Sequence, residues 1–543
     1  MVFARRSTTL LAAIIASCAM VLSLTACTSD NKTVVDGQTT VTSNSAGGVA
    51  VFTPSDGITL NQQMPLNKWA KLVPDLTKAL VDAGFKKGDI NHTTSDSLDK
   101  QSRAIQDFVV DHLSNNTTDD SGIAIAPDNM TLLVAPVVEA DASTRQYGDY
   151  VSQNLSTNDA TDGEATSDGE SSEDDSSKDD SSNTESDSTA SDEQAQAVDR
   201  LVSSLKLAKE SGMHVVLLGN SIEGYKPDAF VKFSDAQTIG KLQAEKMVSK
   251  LKLDKASKDN PKYIEVLLPY TAMDEKGNAN DSTFAQEAFR GIWQVLGSYY
   301  QKGVVESPSG TLDGKSTEND WQAVAYDAAK EGSTAKVLDK RLAKTDGQST
   351  LTRIDGIITM NDYIASEVVK ELDDLGYTGS AADINPQITI SGIVGNITGK
   401  KDLSRDAVPD PIKSPENDNA NDSSSSDDDA DKDTSASDKD RDSQWPLVTG
   451  YGAYVSNIPS IVNGKQWMTG MEDRQTIATD IAQACAKLNK DEALNSMPSI
   501  RNSEVGGVKK IPTISEPLLA VSASNLKSAL IDPGYISLAD AGL

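Results

Sequence analysis

The stretch IDGIITMNDYIASEVVKELDDLGYTG, residues 354–379, reads as an apolar strand (354–360) followed at once by a helix (362–375). The same alternation extends outward from it. Upstream, strand-like runs fall at 47–52, 122–126, 215–218, 229–233 and 263–269, and helical runs at 68–83, 235–251, 282–300 and 321–330. Downstream, strands are predicted at 387–393 and 447–451. The first strand opens onto a loop at Thr53-Pro54, and the first helix stops at Gly84. Strands separated by helices imply parallel sheets joined by right-handed crossovers. Once the low-complexity segments described below are set aside, roughly 430 residues remain, more than one core usually serves. The predicted fold class is α/β, with two doubly wound parallel-sheet lobes. Ligands of such sheets bind beyond the carboxyl ends of the strands, which places a site between the lobes.

Charge is concentrated in two places. The 543-residue chain carries a formal net charge of -31. Residues 156–193 hold 14 acids against one lysine, and residues 414–442 hold 11 acids against three basic residues. Neither segment has the apolar content to offset the entropy of ordering, so both are predicted to be disordered insertions. No calcium-loop spacing occurs in them, and they read as solvated loops. The acidic balance argues against nucleic acid, whose phosphates need lysine and arginine.

Residues 1–26 read as a signal peptide: Arg5 and Arg6, a short apolar run from Leu10 to Leu24, then small residues. Leu24-Thr25-Ala26-Cys27 resembles the lipobox of bacterial lipoproteins, in which the cysteine is acylated and tethers the mature chain to the membrane. Residues 27–46, rich in Thr, Ser and Asn, read as the lipidated tether. With Cys18 leaving in the signal and Cys27 lipidated, only Cys485 remains, so neither a disulfide nor a cysteine metal cluster is available. The protein is expected outside the cell membrane, anchored through Cys27.

Catalytic patterns are missing. His92, His112 and His214 are widely spaced and form no H-E-x-x-H. Gly314-Lys315-Ser316-Thr317 imitates the end of a phosphate-binding loop, but Ser309 stands where its first glycine belongs. GNSIEG around Ser221 misses the nucleophile-elbow spacing. DEKGNANDS, 274–282, has Lys276 at the third position of a calcium loop. The expectation is a protein that is not an enzyme and that needs no cofactor or metal.

Four stretches carry a family resemblance: 354–379 above, FVKFSDAQTIGKLQAEKM (230–247), NGKQWMTGMEDRQTIA (463–478) and VKKIPTISEPLLAVSASNLKSALIDPGYIS (508–537). In their order and spacing they resemble sugar-binding lipoproteins of bacterial ABC importers, the type I periplasmic-binding family, nearest its xylose and multiple-sugar branch. The resemblance implies two lobes joined by three hinge crossovers. Lobe one would hold 47–233 and 452–471, and lobe two 237–449 and 473–543. It also implies a monomer that captures a small carbohydrate and delivers it to ABC permease subunits.

Such receptors stack aromatic rings on the sugar faces and bond its hydroxyls with polar side chains. The resemblance assigns the stacking to Trp69 and Trp321, and hydroxyl contacts to Asp362, with Asn361 beside it. Asp235 matches a hinge aspartate, although Ala236 replaces the sugar-binding asparagine that follows. Asn220 stands for an arginine. Thr283 and Phe284 stand for an asparagine pair, with Asn280 and Asp281 just upstream. Tyr451 and Gly452 replace a Gln-Asp pair. Lost rim charges beside retained stacking surfaces imply a ligand other than xylose or glucose. The alternative is a sensor or surface-interaction lipoprotein on the same fold, with a diverged pocket and no transport role. A hydrolase would need an acid–base pair in the cleft, which Asp362 alone does not supply.

Overall fold

The computed structural model describes residues 32–35, 38–41, 46–55, 65–115, 125–138, 144–151, 153–156, 185–273, 280–328, 330–343, 351–381 and 445–543. The signal segment, Cys27, the strand predicted at 387–393, the insertion 414–442 and most of 156–193 lie outside these residues. Ahead of residue 46, where a tether is predicted, Lys32–Val35 pairs antiparallel with Gln38–Val41.

The body from residue 46 is described by itself. Its first half runs β1 (Gly48–Pro54), α1 (Trp69–Asp82), β2 (Ile90–Ser95), α2 (Leu98–Asn115), β3 (Met130–Val134), α3 (Glu185–Glu210), β4 (His214–Leu218) and β5 (Ala229–Lys232). Next come α4 (Ala236–Leu251), β6 (Lys262–Val266), α5 (Thr283–Gln301), β7 (Val305–Glu306), β8 (Gly356–Ile358), α6 (Asp362–Asp374) and β9 (Leu447–Val448). The chain ends with β10 (Met468–Met471), α7 (Arg474–Leu488), β11 (Ile500–Val505), β12 (Val508–Ser515) and β13 (Leu519–Ser522).

Sheet one has the order β11-β12-β5-β4-β3-β1-β2, parallel except for the antiparallel edge strand β11. Sheet two has the order β7-β6-β8-β9, all parallel. It continues onto β10 through Trp467 N–H to Val448 O (2.9 Å) and Gly470 N–H to Gly450 O (2.9 Å), and β13 closes the edge antiparallel. Each sheet therefore contains the doubly wound order in which the second strand lies outside the first and the third lies on the first strand's other side. Alternate residues serve the two faces. Val49, Val51, Leu133, Val216 and Val231 pack under α1 and α7, while Ala50, Phe52, Leu132, Val215 and Phe230 pack under α2 and α3.

Several expectations are corrected here. Of the strand predicted at 122–126, residues 122–124 lie outside the described residues, Ala126 caps a short 3-10 turn, and the sheet takes Met130–Val134. The helix predicted at 321–330 lasts one turn, Trp321–Val324, because Ala325–Tyr326 pairs as a strand with Leu268–Pro269. The last residues of the first acidic insertion, from 185 on, open α3. Sheet membership also divides the chain differently from the expected lobe boundaries. Residues 473–543 are not one piece of lobe two, since β12 is hydrogen-bonded to β5 and α7 packs with α1 in lobe one. Residues 452–471 instead belong with sheet two. The chain passes between the two sheets at 234–235, 472–473 and 516–518.

Helices α4 and α5 of lobe two touch backbone to backbone. A Cβ on Gly291 would collide with the Gln237 carbonyl oxygen and sit within 3.0 Å of its Cα. Gly291→Ala is expected to destabilise by about 1–3 kcal/mol by forcing the helices apart. The readout is a lower urea midpoint at unchanged slope.

Candidate functional site

The end of β8 feeds the region between the lobes. Met360 takes a left-handed backbone (φ 67) and is buried, which turns the chain so that Asn361 caps α6 through Ile364 N–H (2.9 Å). The Asn361 side-chain amide then donates to Gln146 Oε1 (3.0 Å), a residue of lobe one.

Asp362 is fully buried and its carboxylate is engaged on both oxygens. Oδ1 accepts from Gln466 Nε2 (2.7 Å); Oδ2 accepts from Tyr454 N–H (2.9 Å) and Thr469 Oγ1 (2.8 Å). A Cβ at position 450 would overlap Oδ1, so Gly450 is what admits the carboxylate. Burial lifts its pKa to about 6, while these donors pull it down. This group fastens the 450–471 segment to α6. It does not present free oxygens to a ligand.

The two tryptophans sit in different clusters. Trp69, 2% exposed, lies edge-on to Tyr150 (5.0 Å) and Phe233 (5.6 Å) in lobe one. Trp321, 9% exposed, lies edge-on to Tyr270 (5.1 Å) in lobe two. The paired indoles expected across one gap are thus each packed against protein rings.

The remaining candidates are distributed. Asn220 is tied to the backbone at Gln153 N–H (3.0 Å) and Pro136 O (2.9 Å). Asp235 caps α4 through Thr238 N–H (2.7 Å) and pairs with Lys232 (2.9 Å). Burial opposes that charge, and the Thr238 and Lys232 contacts nevertheless hold its pKa below the usual value. Asn280 bonds Thr271 O (2.9 Å), and Asp281 accepts from Thr283 N–H (2.9 Å) and Oγ1 (2.7 Å). Phe284 does face lobe one, its ring 4.7 Å from that of Tyr147. Tyr451 is buried 6.3 Å from the same ring.

Sequence reasoning passed over three groups, Ser234 and Glu472 at the crossings and Asn67 bonded to Glu472. Glu472 Oε1 receives Ser234 N–H (2.6 Å) and Ser234 Oγ (2.5 Å), with the Tyr451 hydroxyl at 3.5 Å and 2.5 Å from Ser234 Oγ. Burial raises Glu472 to about 7 and drives Tyr451 well above 10. Asn67 is 1% exposed; its Oδ1 accepts from Glu472 N–H (3.4 Å), and its Nδ2 is buried without a hydrogen-bond partner. The available signals are an acid directly after the apolar run ending at Met471, and an asparagine two residues before Trp69. Among the described residues no group of three or more His, Cys, Asp or Glu could hold a metal ion, and no helix is long and apolar enough to cross a membrane.

No family model matches the sequence, and no curated protein matches it. Among solved structures, the chain is similar to an ABC transporter solute-binding protein from Clostridium phytofermentans with bound β-D-glucose. Identity is 16%, coverage 91% of this chain and 99% of that one, and the TM-score 0.44. A carbohydrate transporter solute-binding protein from Chloroflexus aurantiacus in complex with D-glucose is 17% identical, covering 92% and 98%, with a TM-score of 0.43. An arabinose-binding protein from Geobacillus stearothermophilus is 10% identical, covering 89% and 99%, with a TM-score of 0.42. At these scores the likenesses carry no weight, and the fold stands on its own sheet order and crossings.

Proposed function

We propose that this chain is an extracytoplasmic solute-binding lipoprotein of an ABC importer, anchored through Cys27, that captures a small carbohydrate between its lobes for permease subunits. The observation that carries the reading is the pair of like-ordered parallel sheets linked by three short crossings, the first two joined by the Ser234–Glu472 contact. Two rigid layers on three short connections are suited to hinge closure around a ligand. The buried, unpartnered Asn67 Nδ2 suits a hydroxyl-rich guest.

The test is a thermal-shift screen against mono- and oligosaccharides. A specific sugar at a hundredfold excess over its dissociation constant should stabilise by about 2.7 kcal/mol, seen as a raised Tm. A second reading, a non-transport sensor with a diverged pocket, is favoured by the way Gln146 and Tyr147 bond groups assigned to the ligand. A broad panel that leaves Tm unmoved would select it.

A further inference from the structure

We propose that residues 144–151 are an internal occupant of the interlobe site, holding the lobes together until an outside ligand displaces them. This inference rests on the two-lobe receptor reading above. The segment lies in lobe one, between β3 and α3, yet it bonds both lobes.

On the lobe-one side, the Asp149 carboxylate accepts from Lys68 Nζ (2.6 Å) and Trp69 N–H (3.0 Å). The Tyr150 hydroxyl donates to Lys68 O (2.5 Å), and its ring stacks 4.7 Å from Phe233. On the lobe-two side, Gln146 Oε1 accepts from Asn361 Nδ2 and its backbone oxygen accepts from the Tyr454 hydroxyl (2.7 Å). Tyr147, 1% exposed, has its ring 4.7 Å from that of Phe284 and 6.3 Å from that of Tyr451.

The chemistry is what a polar, ring-bearing guest would offer: oxygen acceptors for the side-chain donors of lobe two, and a flat face for its aromatic rings. Trp69, Asn361, Phe284 and Tyr451, separated widely in sequence, each touch this one segment. Gly148 permits the approach, because a Cβ there would crowd the Asn67 carbonyl oxygen at 2.5 Å. Two consequences follow. Contacts across the two lobes do not require a ligand, and any ligand must compete with the segment, so its apparent affinity falls by the fraction of molecules in which the site is vacated.

The experiment is hydrogen–deuterium exchange of the full chain without ligand. The variants are the double substitution Gln146→Ala with Tyr147→Ala and, from the opposite lobe, Phe284→Ala. Both should speed exchange at least tenfold in 65–69 and 451–457, on the two sides of the cleft, while the strands of both sheets keep wild-type protection. Unchanged exchange at those segments in both variants overturns the proposal. So does an equal acceleration through every strand in both, which would make the contacts ordinary packing. No sugar enters the measurement, so its outcome is separate from that of the ligand screen.

Discussion

Asp362→Ala is expected to lower the free energy of unfolding by about 3–5 kcal/mol. Three donors, Gln466 Nε2, Thr469 Oγ1 and Tyr454 N–H, converge on this carboxylate in a site closed to water. Truncation leaves them buried and unpaired, at about 1–3 kcal/mol for each such group before relaxation. It also opens space beside Gly450, which repacking cannot fill without moving the backbone just beyond β9. Asp362→Asn should cost less, since one acceptor survives. The new amide still faces donors, and Gln466 Oε1 is already committed to Asn457 Nδ2 (2.8 Å). Urea unfolding monitored by circular dichroism reads the difference. The role assigned by resemblance predicts the reverse: a stability near wild type with sugar binding abolished. Finding that pattern would remove the fastening role given to Asp362 here.

That contrast shows where sequence reading reached and where it stopped. Residues 354–379 fold as read, a buried strand running into a helix, because both periodicities are local. The parallel order of each sheet follows from strands alternating with helices. The missed boundary at 473–543 has a different origin. Val508–Ser515 extends as a strand for local reasons, but its partner β5 lies nearly three hundred residues earlier, and nothing in its own pattern names that sheet. The surroundings of the site residues are non-local in the same way. Asn361 and Asp362 have the chemistry of a sugar rim, yet what they face is set by Gln146, 215 positions away, and by Thr469, 107 positions away. A polar residue type announces that a partner exists. It does not say whether the partner is a guest or the chain itself.

Glu472→Gln is expected to flatten the dependence of stability on pH. Burial raises the Glu472 carboxyl from an ordinary 4.5 to about 7, with the nearby Asp235 charge acting in the same direction and the Ser234 and Tyr451 donors opposing it. The folded state therefore binds this proton more tightly than the unfolded chain. Its contribution to stability is complete below about pH 4.5 and is lost as pH rises through about 7, a span worth about 3 kcal/mol. Asp362, raised to about 6, acts with the same sign and keeps part of the slope in the variant. His92 and His112 act with the opposite sign, since burial lowers both and charging them costs stability as pH falls. The informative quantity is accordingly the difference between wild type and variant, in which those groups cancel. Measured by urea unfolding from pH 4.5 to 8, the wild type should lose up to about 3 kcal/mol relative to Glu472→Gln. A difference that stays constant across the range would mean that Glu472 titrates alike folded and unfolded. The contact between the first two crossings would then hold an ordinary carboxylate, and protonation would have no bearing on how firmly the lobes are joined.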